Sequence, residues 1–342
     1  MPPSSSSSSP LMAELRPWIE RFSSLRVLVW GDVVADRFLY GSTTRVSREA
    51  PALVLKHESE EVRPGGAGNA MLNVAALGAR VSAAGYVGDD AVGNALLESL
   101  RQGGVGTDHL VRRSDSGTPV KTRVMAGGVH TVRQQVLRID QEMPWTTDVD
   151  ASSALVGSLT ALLDDVDAVL ISDYSLGSVD ANLYQQLRPV LASRNLPVFL
   201  DSRASLLGFA GVTAATPNQA EVESALHIEL DDDMVALEAA GRRLLEELAS
   251  ELILITRGSR GMVLFERDAE PLHIAIHGSD EIADVTGAGD TVIAAFTLGH
   301  VTGAPAADAA RLSNVAGGLA VMKRGTATVS AAELDEAIAR GE

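Results

Sequence analysis

No cysteine occurs in the chain, which excludes a disulfide framework and any thiolate-bound zinc. No apolar run reaches the roughly 18 residues that a membrane-spanning helix needs, and no secretory signal is visible, so a soluble, cytoplasmic protein with no membrane partner is expected. Basic residues are scarce: 28 Lys and Arg against 45 Asp and Glu leave a net charge of -17. With no basic stripe to offset that charge, a nucleic-acid partner is not expected. Gly-x-x-x-x-Gly-Lys-Ser/Thr and His-Arg-Asp are both missing, so any phosphate must be handled by helix N-termini and arginines.

What is present suffices for one large α/β core, since 46% of the 342 residues are hydrophobic. Residues 1–10, Pro and Ser without apolar content, are expected to be a disordered leader. Residues 11–342 read as a single domain with no internal repeat, beginning with a short amphipathic helix over 11–22. The compact run Arg26-Val27-Leu28-Val29-Trp30 predicts a first buried strand, and 81–87 a second. Further on, 168–172, 197–200, 211–216 and 252–256 alternate with helix-length segments, the spacing of a doubly wound, mainly parallel sheet flanked by helices. Polar residues gather where these strands end, at Asp173-Tyr174, Asp201-Ser202-Arg203, Asn218 and 256–261, which predicts a site along the carboxyl edge. Residues 52–63 and 120–139 instead alternate polar and apolar around Gly127-Gly128, predicting a small β-sheet lid that closes over a ligand and joins two copies into a homodimer.

The chain is organised around Asp284-Val285-Thr286-Gly287-Ala288-Gly289-Asp290 and the apolar run behind it. Thr286 is expected to cap a buried helix whose first turn carries small residues, leaving bare N–H groups to receive an anion. Asp290 would then stand in that first turn, placed to take a proton from an attacking hydroxyl. A plainer explanation, an Asp complementing the helix dipole and glycines that merely pack, covers the same residues. Gly65, Gly66 and Asn69 mark a second helix start that either receives a ligand or only turns tightly. Asp32 and Asp36, just past the first strand, could accept hydrogen bonds from a polyol, while Asp32 equally fits a turn.

Three motifs occur together and in order: Gly65-Gly66 with Asn69, Asn218-x-x-Glu221, and Asp284-x-x-Gly287-Ala288-Gly289-Asp290. On these the chain from Leu25 onward resembles the PfkB/ribokinase family of sugar kinases. The resemblance implies a ribokinase-like fold, ATP and Mg2+ as cofactors, and a sugar as acceptor. It implies Asp290 as the general base and the amides of Gly287, Ala288 and Gly289 as the anion hole. Asn218 and Glu221 would hold magnesium through water beside a nucleotide bound by Thr256, Arg257, Gly258, Ser259, Gly261 and Asn314. Asp36, Gly65, Gly66 and Asn69 would face the sugar. Asp284 and Thr286 match a monovalent-cation (K+) site of some members, or only cap the helix.

Within the family, residues 31–41, 45–51, 63–66, 134–140 and 172–174 resemble the branch that phosphorylates D-glycero-D-manno-heptose 7-phosphate. Two departures stand out: Leu176 where that branch usually carries Lys, and Asp201-Ser202-Arg203 where it carries Asp-Pro-Lys. Arg203 with Lys121 or Arg138 is expected to hold the sugar phosphate, and Arg45, Arg48 and Arg123 are further candidates. The rival from another class, a catalytically silent sensor, has no reason to keep a base beside an anion hole.

Overall fold

The computed structural model describes residues 12, 14–127, 133–145, 148–231, 233–278, 285–323 and 325–340. The strands in chain order are β1 (Arg26–Gly31), β2 (Val33–Val46), β3 (Leu53–Gly66), β4 (Arg80–Gly88), β5 (Val105–Arg113), β6 (Val120–Gly127) and β7 (Gln134–Gln141). They continue with β8 (Ala168–Asp173), β9 (Val198–Ser202), β10 (Ala214–Ala215), β11 (Leu252–Thr256), β12 (Met262–Glu266) and β13 (Leu272–Ile274).

Residues 27–31 of β1 are buried without a break, because helices cover both faces of the sheet it sits in. That sheet has the order β13-β12-β11-β10-β9-β8-β1-β4-β5. It is parallel from β11 to β5, while β12 and β13 run antiparallel at one edge. Helices Ala67–Ala76, Ala288–Val301 and Ala306–Val321 share one hydrophobic core, and Val149–Leu162, Ala181–Ser193 and Met234–Glu247 the other. The chain winds outward from β1 through β4 and β5, then back past β1 and outward through β8 to β11. The carboxyl ends of β1 and β8 therefore flank the point where strand order reverses, the place where open α/β sheets leave a crevice for ligands.

The second sheet, β3-β2-β6-β7, stands apart from the first. It contains a strand that the sequence pattern did not disclose. β2 begins one residue after β1, pairs antiparallel with β3 and parallel with β6, and carries Asp36. Asp36, expected only to lie just past the first strand, thus sits on a strand of its own. Its first residues Val33, Val34 and Ala35 are all buried where the two sheets part, which erases the alternation that would have marked it. Only one residue, Asp32, separates the sheets, so whatever binds between them lies against both.

Other differences are smaller. Within the span expected as one helix, the described residues hold a helix at Arg16–Glu20, a 3-10 turn at Phe22–Ser24 and a helical Met12, and Leu15, Ile19 and Phe22 are buried as its spacing required. The strand expected over 211–216 shrinks to two residues, Ala214–Ala215, and β5, β12 and β13 were not anticipated. Residues 1–10, Gly128, Thr131, Val132 and Asp284 lie outside the described residues. Among those described, no helix is long and apolar enough to cross a membrane.

Candidate functional site

Helix Ala288–Val301 starts at Gly287, not at the expected Thr286 cap. Gly287 has φ 80°, a left-handed conformation that Gly adopts without strain, and a Cβ there would run into the Asn69 amide. No side chain caps this start, the Ala288 N–H reaches only back to the Val285 carbonyl at 3.3 Å, and a Cβ on Gly289 would meet only open space. Asp290 follows in the first turn, 4% exposed. Its Oδ2 accepts from Asn69 Nδ2 at 2.7 Å and its Oδ1 from the Tyr174 hydroxyl at 2.8 Å. Burial pushes its carboxyl up to about 6, against the downward pull of those two donors and of Arg203. A base that ionises just below neutral pH is suited to accept a proton there.

Asn69 is delivered by the second glycine-rich helix start. Gly66, at φ 56°, begins helix Ala67–Ala76, and a Cβ there would stand 2.7 Å from the Asp32 carbonyl oxygen. Asn73 donates to the Asn69 backbone oxygen at 3.0 Å and accepts from the Thr291 hydroxyl at 3.0 Å. The two helix starts are thereby locked together through buried polar side chains, which is how Asn69 comes to meet Asp290 across 221 residues of sequence.

Asp32 is corrected from a possible polyol ligand to a structural anchor. It is fully buried, and its carboxylate accepts the backbone N–H groups of Tyr174 (2.9 Å), Leu176 (3.1 Å) and Ser178 (2.8 Å). This holds the loop after β8 and with it Tyr174. The Arg203 guanidinium lies 4.3 Å from the centre of the Tyr174 ring.

On the small sheet, Asp36 is buried and pairs with Arg123 at 3.0 Å. Burial raises its carboxyl, while Arg123, Lys121 and Arg138 act in the opposite direction. Gly65 must be Gly because a Cβ would strike the Asp36 carboxylate. Lys121 reaches Asp140 at 3.5 Å, and Arg138 is hydrogen-bonded to the same Asp140. Arg203, from the end of β9, acts by charge on Asp290, while Lys121 and Arg138 act on Asp36 of the small sheet; the expected grouping of the three is tied to closure of the lid. Arg123 is the cation that pairs directly with Asp36, its side chain as little exposed as that of Lys121, and sequence offered no signal to rank it above its neighbours.

Beyond Gly289 a cavity of about 330 Å³ opens, lined by Asn218, Thr256, Gly258, Ser259, Gly261 and Asn314, six of the expected nucleotide residues. Ile276, Val292 and Val321 add apolar walls suited to a flat ring, unforeseen because each comes from a different segment. Asn314 donates to the Ala275 carbonyl at 2.8 Å, fixing one of these walls. Arg257 and Glu221 do not line the cavity. The Arg257 Nε is buried with no hydrogen-bond partner.

Asn218 and Glu221 cap helix Gln219–Leu226 reciprocally: Glu221 N donates to the Asn218 side chain at 3.0 Å, and Asn218 N to Glu221 Oε2 at 2.8 Å. Burial raises the Glu221 carboxyl, and burial followed by the charge of Glu221 raises that of Asp201. Two carboxylates that disfavour each other's ionisation fit a divalent cation brought in with a polyphosphate. Among the described residues no group of three or more His, Asp or Glu side chains is placed to hold a metal ion. Thr286 is half-buried beside Gly287, its expected partner Asp284 being outside the described residues.

Comparison with known proteins follows the same lines. The chain is 41% identical over 324 residues to bifunctional protein HldE of Pseudomonas syringae pv. tomato, covering 94% of this chain and 65% of that one. With HldE of Geobacter sulfurreducens it shares 40% over 312 residues, covering 91% and 62%. It thus spans somewhat less than two thirds of these relatives. In fold it matches Arabidopsis thaliana ribokinase complexed with ribose and ATP, with a TM-score of 0.70 and 19% identity over 92% of this chain and 98% of that one. Phosphofructokinase-2 from Escherichia coli in complex with potassium gives a TM-score of 0.75 and 17% identity over the same shares. The model of the pfkB family of carbohydrate kinases matches residues 24–333, nearly the whole of both sheets, and to that family the chain belongs.

Proposed function

We propose that this carbohydrate kinase moves the γ-phosphoryl group of ATP to the anomeric hydroxyl of D-glycero-D-manno-heptose 7-phosphate, in the cytoplasm. The observation that carries the reading is Asp290, a buried carboxylate pushed to about 6 in the first turn of a helix with no side-chain cap, with Asp36 of the small sheet near enough to act on it by charge. Asp290 takes the hydroxyl proton as the sugar oxygen bonds to the γ-phosphorus. The bond from that phosphorus to the bridging oxygen breaks, and ADP leaves with the electron pair. The N–H groups at Gly287, Ala288 and Gly289 meet the charge on the transferring group. Bound magnesium neutralises phosphate charge, and Glu221 and Asn218 are placed to hold its waters.

The heptose phosphate rests on the sequence motifs of that branch and on the cations of the small sheet. Arg123 Nε is buried with no hydrogen-bond partner among the described residues, a donor available for a ligand oxygen, and Lys121 and Arg138 act by charge on Asp36. Leu176, where the branch carries Lys, is buried and contributes no cation. Measuring ADP release with heptose 7-phosphate and with free heptose tests this directly. The phosphate ester is expected to be favoured by about tenfold to a hundredfold in kcat/KM, the worth of one charge-assisted hydrogen bond. Equal use of the free sugar would replace the reading with a kinase of an unphosphorylated sugar. No turnover with any acceptor would leave the silent sensor.

The small sheet also supports the homodimer. Leu53, Leu137 and Ile139 are exposed on it, and every residue of β7 is exposed. An uncovered strand with apolar side chains is stabilised by a partner, here a second lid. Light scattering should return twice the chain mass, and a single chain mass would remove the dimer.

A further inference from the structure

Asp290 is gripped by two donors, and only one of them, Asn69, belongs to a motif with a role already described. The other is the Tyr174 hydroxyl, 2.8 Å from Oδ1. A buried hydroxyl needs some partner, but the structure does far more than satisfy it. The Tyr174 backbone N–H is held by Asp32, and the same carboxylate holds the loop again at Leu176 and Ser178. Ser175 takes a left-handed φ of 59°, and its N–H is held by Asp173 Oδ1 at 2.8 Å. Asp173 Oδ2 accepts from Ser202 Oγ at 2.7 Å, tying this loop to the end of β9, from which Arg203 reaches over the Tyr174 ring. Backbone, neighbouring strand and ring face are all fixed, so the hydroxyl has one direction in which to point.

We propose that Tyr174 is a positioning residue for Asp290: its hydroxyl fixes the plane of the carboxylate and, by donating to it, keeps it in the proton-accepting form. This rests on Asp290 being the general base. Desolvation, and after it the charge of Asp290, hold the phenol well above its ordinary range, so the hydroxyl remains a donor at any working pH. The groups acting on Asp290 are Asn69 from helix Ala67–Ala76, Tyr174 from the end of β8, Arg203 from the end of β9 and Asp36 from β2, with Asp201 of β9 repelling it. Deleting the hydroxyl removes a donor that favours the anion and leaves Asp36, Asp201 and burial, which oppose it.

Tyr174→Phe keeps the ring under Arg203 and removes only the oxygen. With ATP and heptose 7-phosphate, the acidic limb of kcat/KM should move up by about one pH unit relative to wild type. Turnover should then fall roughly fivefold near pH 6 and little at pH 8.5, with KM for ATP unchanged. Replacing Tyr174 by 3-fluorotyrosine, a more acidic phenol with the same ring, should move the limb down, and this variant decides the question if the Phe variant does not fold. A limb left in place by either folded variant, or a loss equal at every pH, overturns the proposal. Asp290→Asn in parallel keeps the two readings apart: near wild-type turnover there removes the base itself, whereas an inactive Asp290→Asn beside an unshifted Tyr174→Phe removes only the role given to Tyr174.

Discussion

Asp290→Asn should lower turnover by a factor on the order of 10² to 10⁴ and leave ATP binding nearly unchanged. The amide keeps the volume and both hydrogen-bond partners in reach but cannot take a proton, and the nucleotide cavity begins beyond Gly289, on the far side of the bare helix start. The same variant should be more stable than wild type at alkaline pH. The folded carboxyl binds its proton more tightly, at about 6, than its ordinary 3.8. The ionised form therefore opposes folding, by at most roughly 3 kcal/mol for a shift of about two units. That cost is absent below the ordinary value, accumulates as pH rises from there to about 6 and is constant above, so the difference in unfolding temperature should be full near pH 8 and shrink as pH falls through about 5 toward about 4. Near wild-type turnover in ADP release, with calorimetry showing intact ATP binding, would sink the assignment.

Asp32→Ala should be among the most destabilising single changes in the protein. It strands three buried N–H groups, each costing roughly 1–3 kcal/mol when left unpaired, and removes a carboxylate with no exposed surface. Turnover should fall with it, because the loop it releases carries Tyr174 to Asp290. Asp32→Asn, which keeps one acceptor, should lose less. Urea unfolding beside acceptor KM separates this from the alternative of a sugar ligand, in which KM would rise while the unfolding midpoint stayed in place.

The contrast between Asp32 and Asp36 shows where sequence reading is strong and where it stops. Both are acids just past a buried strand, and both are buried in the fold. One holds a loop 142 residues away through backbone N–H groups, and the other, on β2, joins cations carried by β6 and β7. Nothing in their neighbours distinguishes them, since the partners are supplied by β8 and β6. The hidden strand β2 has the same origin: alternation fails where a strand leaves one sheet for another and is covered on both faces.

Local chemistry by itself determined a good deal. Gly287 and Gly289 are small because the helix start must turn left-handed and stay open, and that requirement is written in consecutive residues. The short apolar strands at regular spacing, the polar residues at their ends and the separate small sheet follow from equally local patterns, whereas the six nucleotide-cavity residues are implied by the family resemblance. Only the tertiary structure decided what surrounds Asp290. Tyr174 lies 116 residues before it and Asn69 lies 221, and Arg203 and Asp36 arrive from two different sheets. The protonation of a buried carboxylate depends on desolvation and on charges a few ångströms away in space, quantities that chain order does not carry.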